Sequence, residues 1–271
     1  MAGDVATTTR TPEHVAIPAR SAWRGRGPVV VAIAVAWALA IVAEATGDGA
    51  KLHHDALIHG TLPTWAALGL FLVAWQAMIA AMMLPSSLPM VRLFARTSAD
   101  QERPGRVMTA FLSGYAIVWT VFGAVAFLGD LGLHRLVDAT PWLNEHQTLI
   151  AGGVILLAGV FQFSSLKERC LQECRHPGVF LLRRYRRGAE AALRIGVAHG
   201  IFCLGCCWAL MLLMFAAGVA NLWWMALLTA VMVYEKVGRH GKVLSPVVGV
   251  ALLALGSLVV LGVHVPAVAF G

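Results

Sequence analysis

Apolar residues in this chain are collected into seven long runs, which short polar segments separate. The runs cover approximately Val29–Ala43, Thr64–Met83, Val107–Gly129, Leu149–Leu166, Ile195–Ala217, Leu222–Tyr234 and Val243–Val263. Within each run the apolar residues are continuous instead of alternating with polar ones, which favours helices over the strands of a membrane barrel. Most runs approach the length of about 20 residues that a helix needs to cross a bilayer. The pattern therefore predicts an all-α fold, a polytopic transmembrane helix bundle of about seven helices within residues 29–265.

The segment before the first run is polar and has no apolar periodicity, so residues 1–28 are predicted to form a disordered cytoplasmic tail. At the end of the first run, Ala43-Glu44-Ala45 has the small-x-small pattern of a signal-peptide cleavage site. The basic leader is long for a signal peptide, so we interpret this run as an uncleaved membrane anchor.

The composition excludes a water-soluble domain, because 59% of the residues are hydrophobic and only 13% are charged. The net charge of +7 does not indicate nucleic acid as a partner, since Lys and Arg lie in short loops instead of forming one basic surface. All of them except Lys51 and Arg135 fall in the N-terminal segment or in the loops after the second, fourth and sixth runs. The positive-inside rule then predicts a lipid bilayer environment with the N-terminus in the cytoplasm.

The fifth run carries the densest set of potential metal ligands. One helical face there combines an imidazole, three thiols and two thioethers, with the imidazole and thiols within an arc of roughly 100°. These side chains are His199, Cys203, Cys206, Cys207, Met211 and Met214. Such soft ligands suit Cu(I) best and zinc next, and no Lys or Arg within the run compensates thiolate charge. The alternative is that the cysteines are small packing residues at a close helix contact around Gly200 and Gly205.

Two methionines end the second run, directly before a proline-rich segment. Met82 and Met83 precede Pro85 and Pro89, which are predicted to stop or kink the helix. Pro85 leaves the carbonyl of Ala81 without its helical donor, and that break is expected beside protein or a cavity. Methionine at helical spacing is usually packing, but together with the thiols this pair could form the second half of a Cu(I) site.

A second pair of cysteines, Cys170 and Cys174, follows the fourth run in a basic loop. On a continuing helix both sulfurs would share one face, and the neighbouring Lys167 and Arg175 would favour thiolate. We expect this pair to be either a cytoplasmic exit for a metal ion or two free thiols.

The sixth run has interfacial residues at both ends. Trp223 and Trp224 indicate an aromatic belt, and Glu235-Lys236 indicates a polar pair that reaches the membrane surface.

Six blocks of the chain together resemble one bacterial family. The blocks are Met82–Met90, Gly114-Tyr115 with Trp119, Lys167–Pro177, Cys203–Met211, Gly218–Met225 and Glu235-Lys236. They resemble the predicted metal-binding integral membrane proteins, a domain-of-unknown-function family sometimes labelled copper chaperones, over roughly Trp65 to Lys236. The resemblance implies a multi-helix protein of the bacterial inner membrane that handles metal. Ala220 departs from the pattern, because methionine is expected there.

These residues leave three functions open. The first is Cu(I) binding, delivery or transport, with the fifth-run ligands as the primary site, Met82 and Met83 as relay ligands, and a copper-binding or membrane-complex protein as partner. The second is a membrane thiol-disulfide oxidoreductase that uses the CxxC pair Cys203 and Cys206. The third is a structural subunit of a larger membrane complex, which the lack of any large loop favours. No nucleotide-binding loop is present, so ATP hydrolysis by this chain is not expected to drive transport.

Overall fold

A computed structural model describes residues 27–47, 62–217 and 221–263, and all regular secondary structure in these ranges is helical. The predicted tail, residues 1–28, lies almost entirely outside them. Ten helices follow in chain order: α1 (Gly27–Thr46), α2 (Thr64–Thr97), α3 (Pro104–Ala139), α4 (Pro141–Glu145), α5 (Gln147–Phe161), α6 (Ser165–Arg175), α7 (Pro177–Arg184), α8 (Ala189–Ala217), α9 (Leu222–Val237) and α10 (Gly241–Val260).

Each of the seven predicted apolar runs is helical, although the fourth is divided between α5 and α6, and this confirms the polytopic helical bundle. Five of these helices, α1, α2, α3, α8 and α10, are long and apolar enough to cross a membrane. The helix α5 reaches that length only together with α6, and the two are bent by 63° at their junction. The helix α9 has 16 residues, somewhat fewer than a full span needs.

The outward faces of the long helices are apolar. Val121 and Val125 of α3 are 59% and 64% exposed, and Val247 and Val250 of α10 are 58% and 61% exposed. A continuous exposed apolar surface of this kind is typical of helices that face lipid.

Of the two outcomes that the prolines suggested, a stop is excluded, because α2 continues through Pro85 and Pro89 to Thr97. The carbonyl of Ala81, which Pro85 deprives of its helical donor, accepts a hydrogen bond from the indole Nε1 of Trp37 in α1 at 3.0 Å. This contact confirms that the freed carbonyl lies beside protein. It also offsets part of the cost of a proline inside a helix, which is about 3 kcal/mol.

The fourth predicted helix is broken where the sequence suggested a continuous one. The helix α5 ends at Phe161, and α6 begins at Ser165 after a bend, with the hydroxyl of Ser164 accepting a hydrogen bond from the backbone N–H of Lys167 at 3.1 Å. This cap is the usual way to satisfy the free N–H groups at a new helix start. The break turns α6 inward, so that Lys167 and Cys170 are buried against the bundle.

The helices α3 and α8 pack closely because glycines line their contact. A Cβ placed on Gly196 of α8 would overlap the carbonyl oxygen of Phe111, and one on Gly114 of α3 would overlap the carbonyl oxygen of Leu193. A Cβ on Gly200 would lie 3.0 Å from Val118. The close contact that Gly200 indicated in the sequence is therefore confirmed, and it fixes the helix that carries the cysteines.

Replacing Gly196 by alanine is expected to destabilise the protein by about 1–3 kcal/mol, because the added methyl group forces the two backbones apart. Gly129→Ala is the matched control on α3, since a Cβ there meets nothing within 4 Å. Thermal unfolding in one detergent should show a lower midpoint for Gly196→Ala only. Equal midpoints for the two variants would contradict the close packing of α3 and α8.

Candidate metal centre

Three cysteines of α8 lie in the centre of the bundle. Cys203, Cys206 and Cys207 are each at most 1% exposed. The sulfurs of Cys206 and Cys207 are 3.2 Å apart, and the thiol of Cys206 also donates to the carbonyl oxygen of Cys203 at 3.1 Å. The predicted cysteine face thus points into the protein and not toward lipid.

The cysteines of α6 join this group instead of forming a separate site. The sulfur of Cys170 lies against the backbone of α8, where a Cβ on Gly205 would approach it to 2.5 Å. Cys174 packs against the core cluster that contains Cys206. All five cysteines of the chain are free thiols, and they lie in or against the same hydrophobic core cluster. Cys174 alone among them is partly exposed, because Cys170 is 7% exposed and the others less.

Lys236 lies beside the thiols, in contrast to its predicted place at the membrane surface. Its side chain is 6% exposed, and its Nζ donates to the sulfur of Cys203 at 3.1 Å and to the hydroxyl of Ser86 at 3.0 Å. Ser86 in turn donates to the carbonyl oxygen of Met83 at 2.8 Å. The cysteine helix itself supplies no cation to the thiols, as the sequence indicated, and the positive charge beside Cys203 comes from α9.

Tyr115 orients the same sulfur from the opposite helix. Its hydroxyl is 3.2 Å from the sulfur of Cys203 and accepts a hydrogen bond from Ser87 at 3.4 Å. Cys203 is thus held by polar groups from α3 and α9, and indirectly from α2. Such outer hydrogen bonds commonly fix the orientation of a metal ligand.

A buried ion pair joins α6 to α9, and it also contacts the backbone of α8. Lys167 donates to the Oε2 atom of Glu235 at 2.8 Å and to the carbonyl oxygen of Cys206 at 3.2 Å. Ser245 of α10 donates to the other carboxylate oxygen of Glu235 at 2.9 Å. Lys167 and Glu235 are only 1% and 2% exposed, so Glu235 is also not the surface residue that its sequence position suggested.

His199 is buried one turn before Cys203 and is 4% exposed. Its ring stacks on those of Phe111 and Tyr115, with centroids 6.2 and 5.6 Å away, and meets the edge of Phe180 at 5.9 Å. Its Nε2 has no hydrogen-bond partner among the residues that the structure describes. A buried nitrogen without a partner is costly, and a metal ion is one group that would satisfy it.

The predicted methionine ligands belong to the core that surrounds the thiols. Met82, Met83, Met211 and Met214 are all 0% exposed. Three further methionines that the sequence interpretation did not select, Met78, Met225 and Met232, lie in the same cluster. The seven methionines are distributed over α2, α8 and α9, and their spacing along the sequence gave no local signal that they converge.

The donor set fits a soft monovalent cation better than zinc. Within residues 27–47, 62–217 and 221–263, no three His, Cys, Asp or Glu side chains are grouped closely enough to hold a metal ion. A tetrahedral zinc site needs such a group, whereas Cu(I) accepts two sulfurs and tolerates thioethers. Two thiols with methionines around them therefore suffice for Cu(I).

Comparison with known proteins gives one family. The model of the PpoB2 family, described as copper chaperone, matches residues 72–259, which is more than half of the chain and includes every thiol and thioether named above. No curated protein and no solved structure matches the chain. The chain therefore belongs to the PpoB2 family of copper chaperones.

Proposed function

We propose that this protein binds Cu(I) inside its helix bundle and delivers it to another copper-binding protein at the membrane. The observation that carries the proposal is that all five thiols lie in or against one core cluster that is rich in methionine. Membership of a copper chaperone family supports copper handling in general. The sulfur-rich core supports the finer assignment of where copper binds.

The primary ligands in this proposal are Cys206 and Cys207, whose sulfurs are 3.2 Å apart, with Cys203 and His199 nearby on the same helix to complete the site as the ion binds. The thiols are dry and already close to one another, and the unpartnered Nε2 of His199 is available on the same helix. Burial excludes water as a competing ligand and excludes hydrated hard cations. Lys236 supplies a positive charge to Cys203 in the metal-free protein, a charge that a bound Cu(I) ion would replace or share.

The methionines serve as relay ligands in this proposal. Met82 and Met83 lie on the helix that also positions Ser86 and thereby Lys236, while Met211 and Met214 continue the stripe of the cysteine helix. Neutral thioethers bind Cu(I) without adding buried negative charge. They could therefore hold the ion on its way to or from the thiols at low electrostatic cost.

We place the protein in the bacterial inner membrane with its N-terminus in the cytoplasm. The apolar exposed faces of α3 and α10 support a lipid environment, and the distribution of Lys and Arg supports the orientation. In this orientation α6 and its thiols lie toward the cytoplasmic side.

The oxidoreductase alternative finds less support. A thiol-disulfide exchange enzyme needs a cysteine that a partner disulfide can reach. Cys203 and Cys206 are at most 1% exposed, and the sulfur of Cys206 lies 3.2 Å from that of its sequence neighbour Cys207. The arrangement suits ion binding better than disulfide exchange.

Metal analysis of the purified full chain tests the proposal. We expect stoichiometric copper and little zinc in the wild type after anaerobic loading with Cu(I), and loss of copper when Cys203, Cys206 and Cys207 are all replaced by serine. Cys170→Ser is the matched control and should retain copper, because that sulfur packs on Gly205 instead of lining the thiol pair.

A methionine variant separates copper from zinc in the same assay. Met82→Leu with Met83→Leu should weaken copper binding by about tenfold, the lower end of what loss of supporting groups costs a metal site, with helical circular dichroism unchanged. Stoichiometric zinc, or copper binding that neither set of substitutions alters, would contradict the proposal and favour a structural subunit.

A further inference from the structure

A basic cavity lies at the start of α8, away from the thiols. It encloses roughly 790 Å³, and its charged lining consists of Arg184, Arg186, Arg187, Arg194 and Glu190. Four arginines against one glutamate give this lining a net charge of +3. A concave surface with such an excess of guanidinium groups attracts anions, and phosphate oxygens match guanidinium geometry best.

The loop before α8, which contributes to the lining of the cavity, is held in place by hydrogen bonds. Tyr185 donates to the carbonyl oxygen of Thr97 at 2.7 Å, and the backbone N–H of Gly188 donates to the side chain of Gln101 at 2.8 Å. Gly188 has a φ of +100°, a conformation that side-chain-bearing residues rarely adopt, and this turns the chain into α8. The arginine segment is thus tied to the connection between α2 and α3.

The arginines differ in how fully they are engaged. The guanidinium of Arg184 lies 4.5 Å above the Phe180 ring and pairs with Glu173 at 3.2 Å, so it is held in place. Arg194 pairs with Glu190 on the surface. Arg186 is exposed and pairs with no other residue in the described part of the chain. The guanidinium of Arg186 is therefore free to bind a ligand, and the paired arginines have further N–H groups that can donate to the same ligand.

Apolar side chains beside the cavity identify the kind of anion. The helix α7 buries Phe180 and Leu181 against the bundle, but leaves Val179 45% and Leu182 87% exposed. A leucine so exposed next to a group of arginines is what an interfacial helix presents to lipid chains. A soluble anion would bind the arginines but not the exposed leucine, whereas a phospholipid can bind the arginines through its phosphate and contact the leucine through its acyl chains.

We propose that this cavity binds the headgroup phosphate of an anionic phospholipid, with the acyl chains lying against Leu182 and the outer face of the bundle. The arginines bind the phosphate oxygens, and α7 rests in the interface beside it. This site is independent of the copper ligands, because it is lined by none of them.

Lipid titration of the full chain in neutral detergent tests this site. Mixed micelles with phosphatidylglycerol should raise the thermal midpoint and show saturable binding, whereas phosphatidylcholine and inorganic phosphate should do neither. Arg186→Gln with Arg194→Gln should weaken phosphatidylglycerol binding by about tenfold or more, since each arginine near an anionic lipid contributes measurably. Copper content should stay unchanged in this variant.

The matched control removes two other exposed charges near the start of α10, with Arg239→Gln and Lys242→Gln. It should leave phosphatidylglycerol binding unaltered. Equal loss in both variants would reduce the effect to general surface charge and overturn the site. Equal stabilisation by inorganic phosphate would overturn the lipid as its ligand.

Discussion

Replacing Glu235 by leucine is expected to destabilise the helix bundle by about 3–5 kcal/mol, the usual cost of removing one partner of a buried ion pair. Glu235 is 2% exposed, and its carboxylate accepts hydrogen bonds from Lys167 at 2.8 Å and from Ser245 at 2.9 Å. Its loss leaves the ammonium of Lys167 in the core without a counter-charge. The remaining contact of that ammonium, the carbonyl oxygen of Cys206 at 3.2 Å, is a dipole and not a charge.

The double variant Lys167→Met with Glu235→Leu is the control for this prediction. It removes both charges and fills the space with apolar groups of similar volume, which is often nearly neutral for stability. Unfolding in one detergent should therefore rank the wild type and the double variant close together, with Glu235→Leu well below both. A double variant as unstable as the single one would show that packing, and not charge, is responsible.

The position of this ion pair gives it a role in the candidate site. Lys167 begins the same short helix that carries Cys170 and Cys174, and it contacts the backbone of Cys206 on α8. Arg175 at the other end of α6 donates to the carbonyl oxygens of Glu235 and Gly238, at 3.0 Å each. Both ends of α6 are thus fastened to α9, which holds its thiols against the cysteine helix.

The helices could be predicted from the sequence because a membrane span is a local property. Twenty consecutive apolar residues identify a helix whatever it later contacts, and each of the seven runs is helical in the structure. The ends were less predictable. Pro85 indicated a stop or a kink in α2, but the donor to the carbonyl that it frees on Ala81 is Trp37, which lies 44 residues before Ala81 in another helix.

The buried polar contacts of the interior could not be predicted either, because their partners are also distant in the sequence. Lys236 and Glu235 stand at the end of an apolar run, where charged residues usually reach the membrane surface. Their partners are 150 residues away for Lys236 and Ser86, and 68 residues away for Glu235 and Lys167. Only the packing of α2, α6 and α9 brings these side chains together, and a single sequence carries no signal of it.

The two cysteine groups show most directly what can and cannot be predicted from the sequence. The face that carries Cys203, Cys206 and Cys207 followed from helical spacing within one run. The approach of Cys174 depends on the break between Phe161 and Ser165, which turns α6 by 63°. A helix continuing straight from α5 would instead have carried Cys170 and Cys174 away from the thiols of α8.

Copper held by the α8 thiols is expected to leave through Cys174. Cys174 packs against the core cluster that contains Cys206, the Cys206 sulfur is 3.2 Å from that of Cys207, and Cys174 is the only cysteine of the five that is partly exposed. Cu(I) can pass between thiolates by ligand exchange, in which a bond to the incoming sulfur forms as one to the outgoing sulfur breaks, with no change of oxidation state. A row of sulfurs that reaches the surface at one end therefore provides an exit.

Replacing Cys174 by serine should leave the copper content unchanged but slow transfer to a water-soluble Cu(I) chelator by about tenfold or more, which corresponds to a barrier higher by at least about 1.4 kcal/mol. Cys203→Ser should behave differently and lose copper itself, because Cys203 belongs to the buried group that Lys236 and Tyr115 orient. Cys170→Ser should change neither quantity greatly. Stopped-flow transfer from loaded protein, with copper content measured beforehand, separates the three cases. Unchanged transfer in Cys174→Ser, with copper still bound, would exclude this thiol as the exit while leaving the binding site intact.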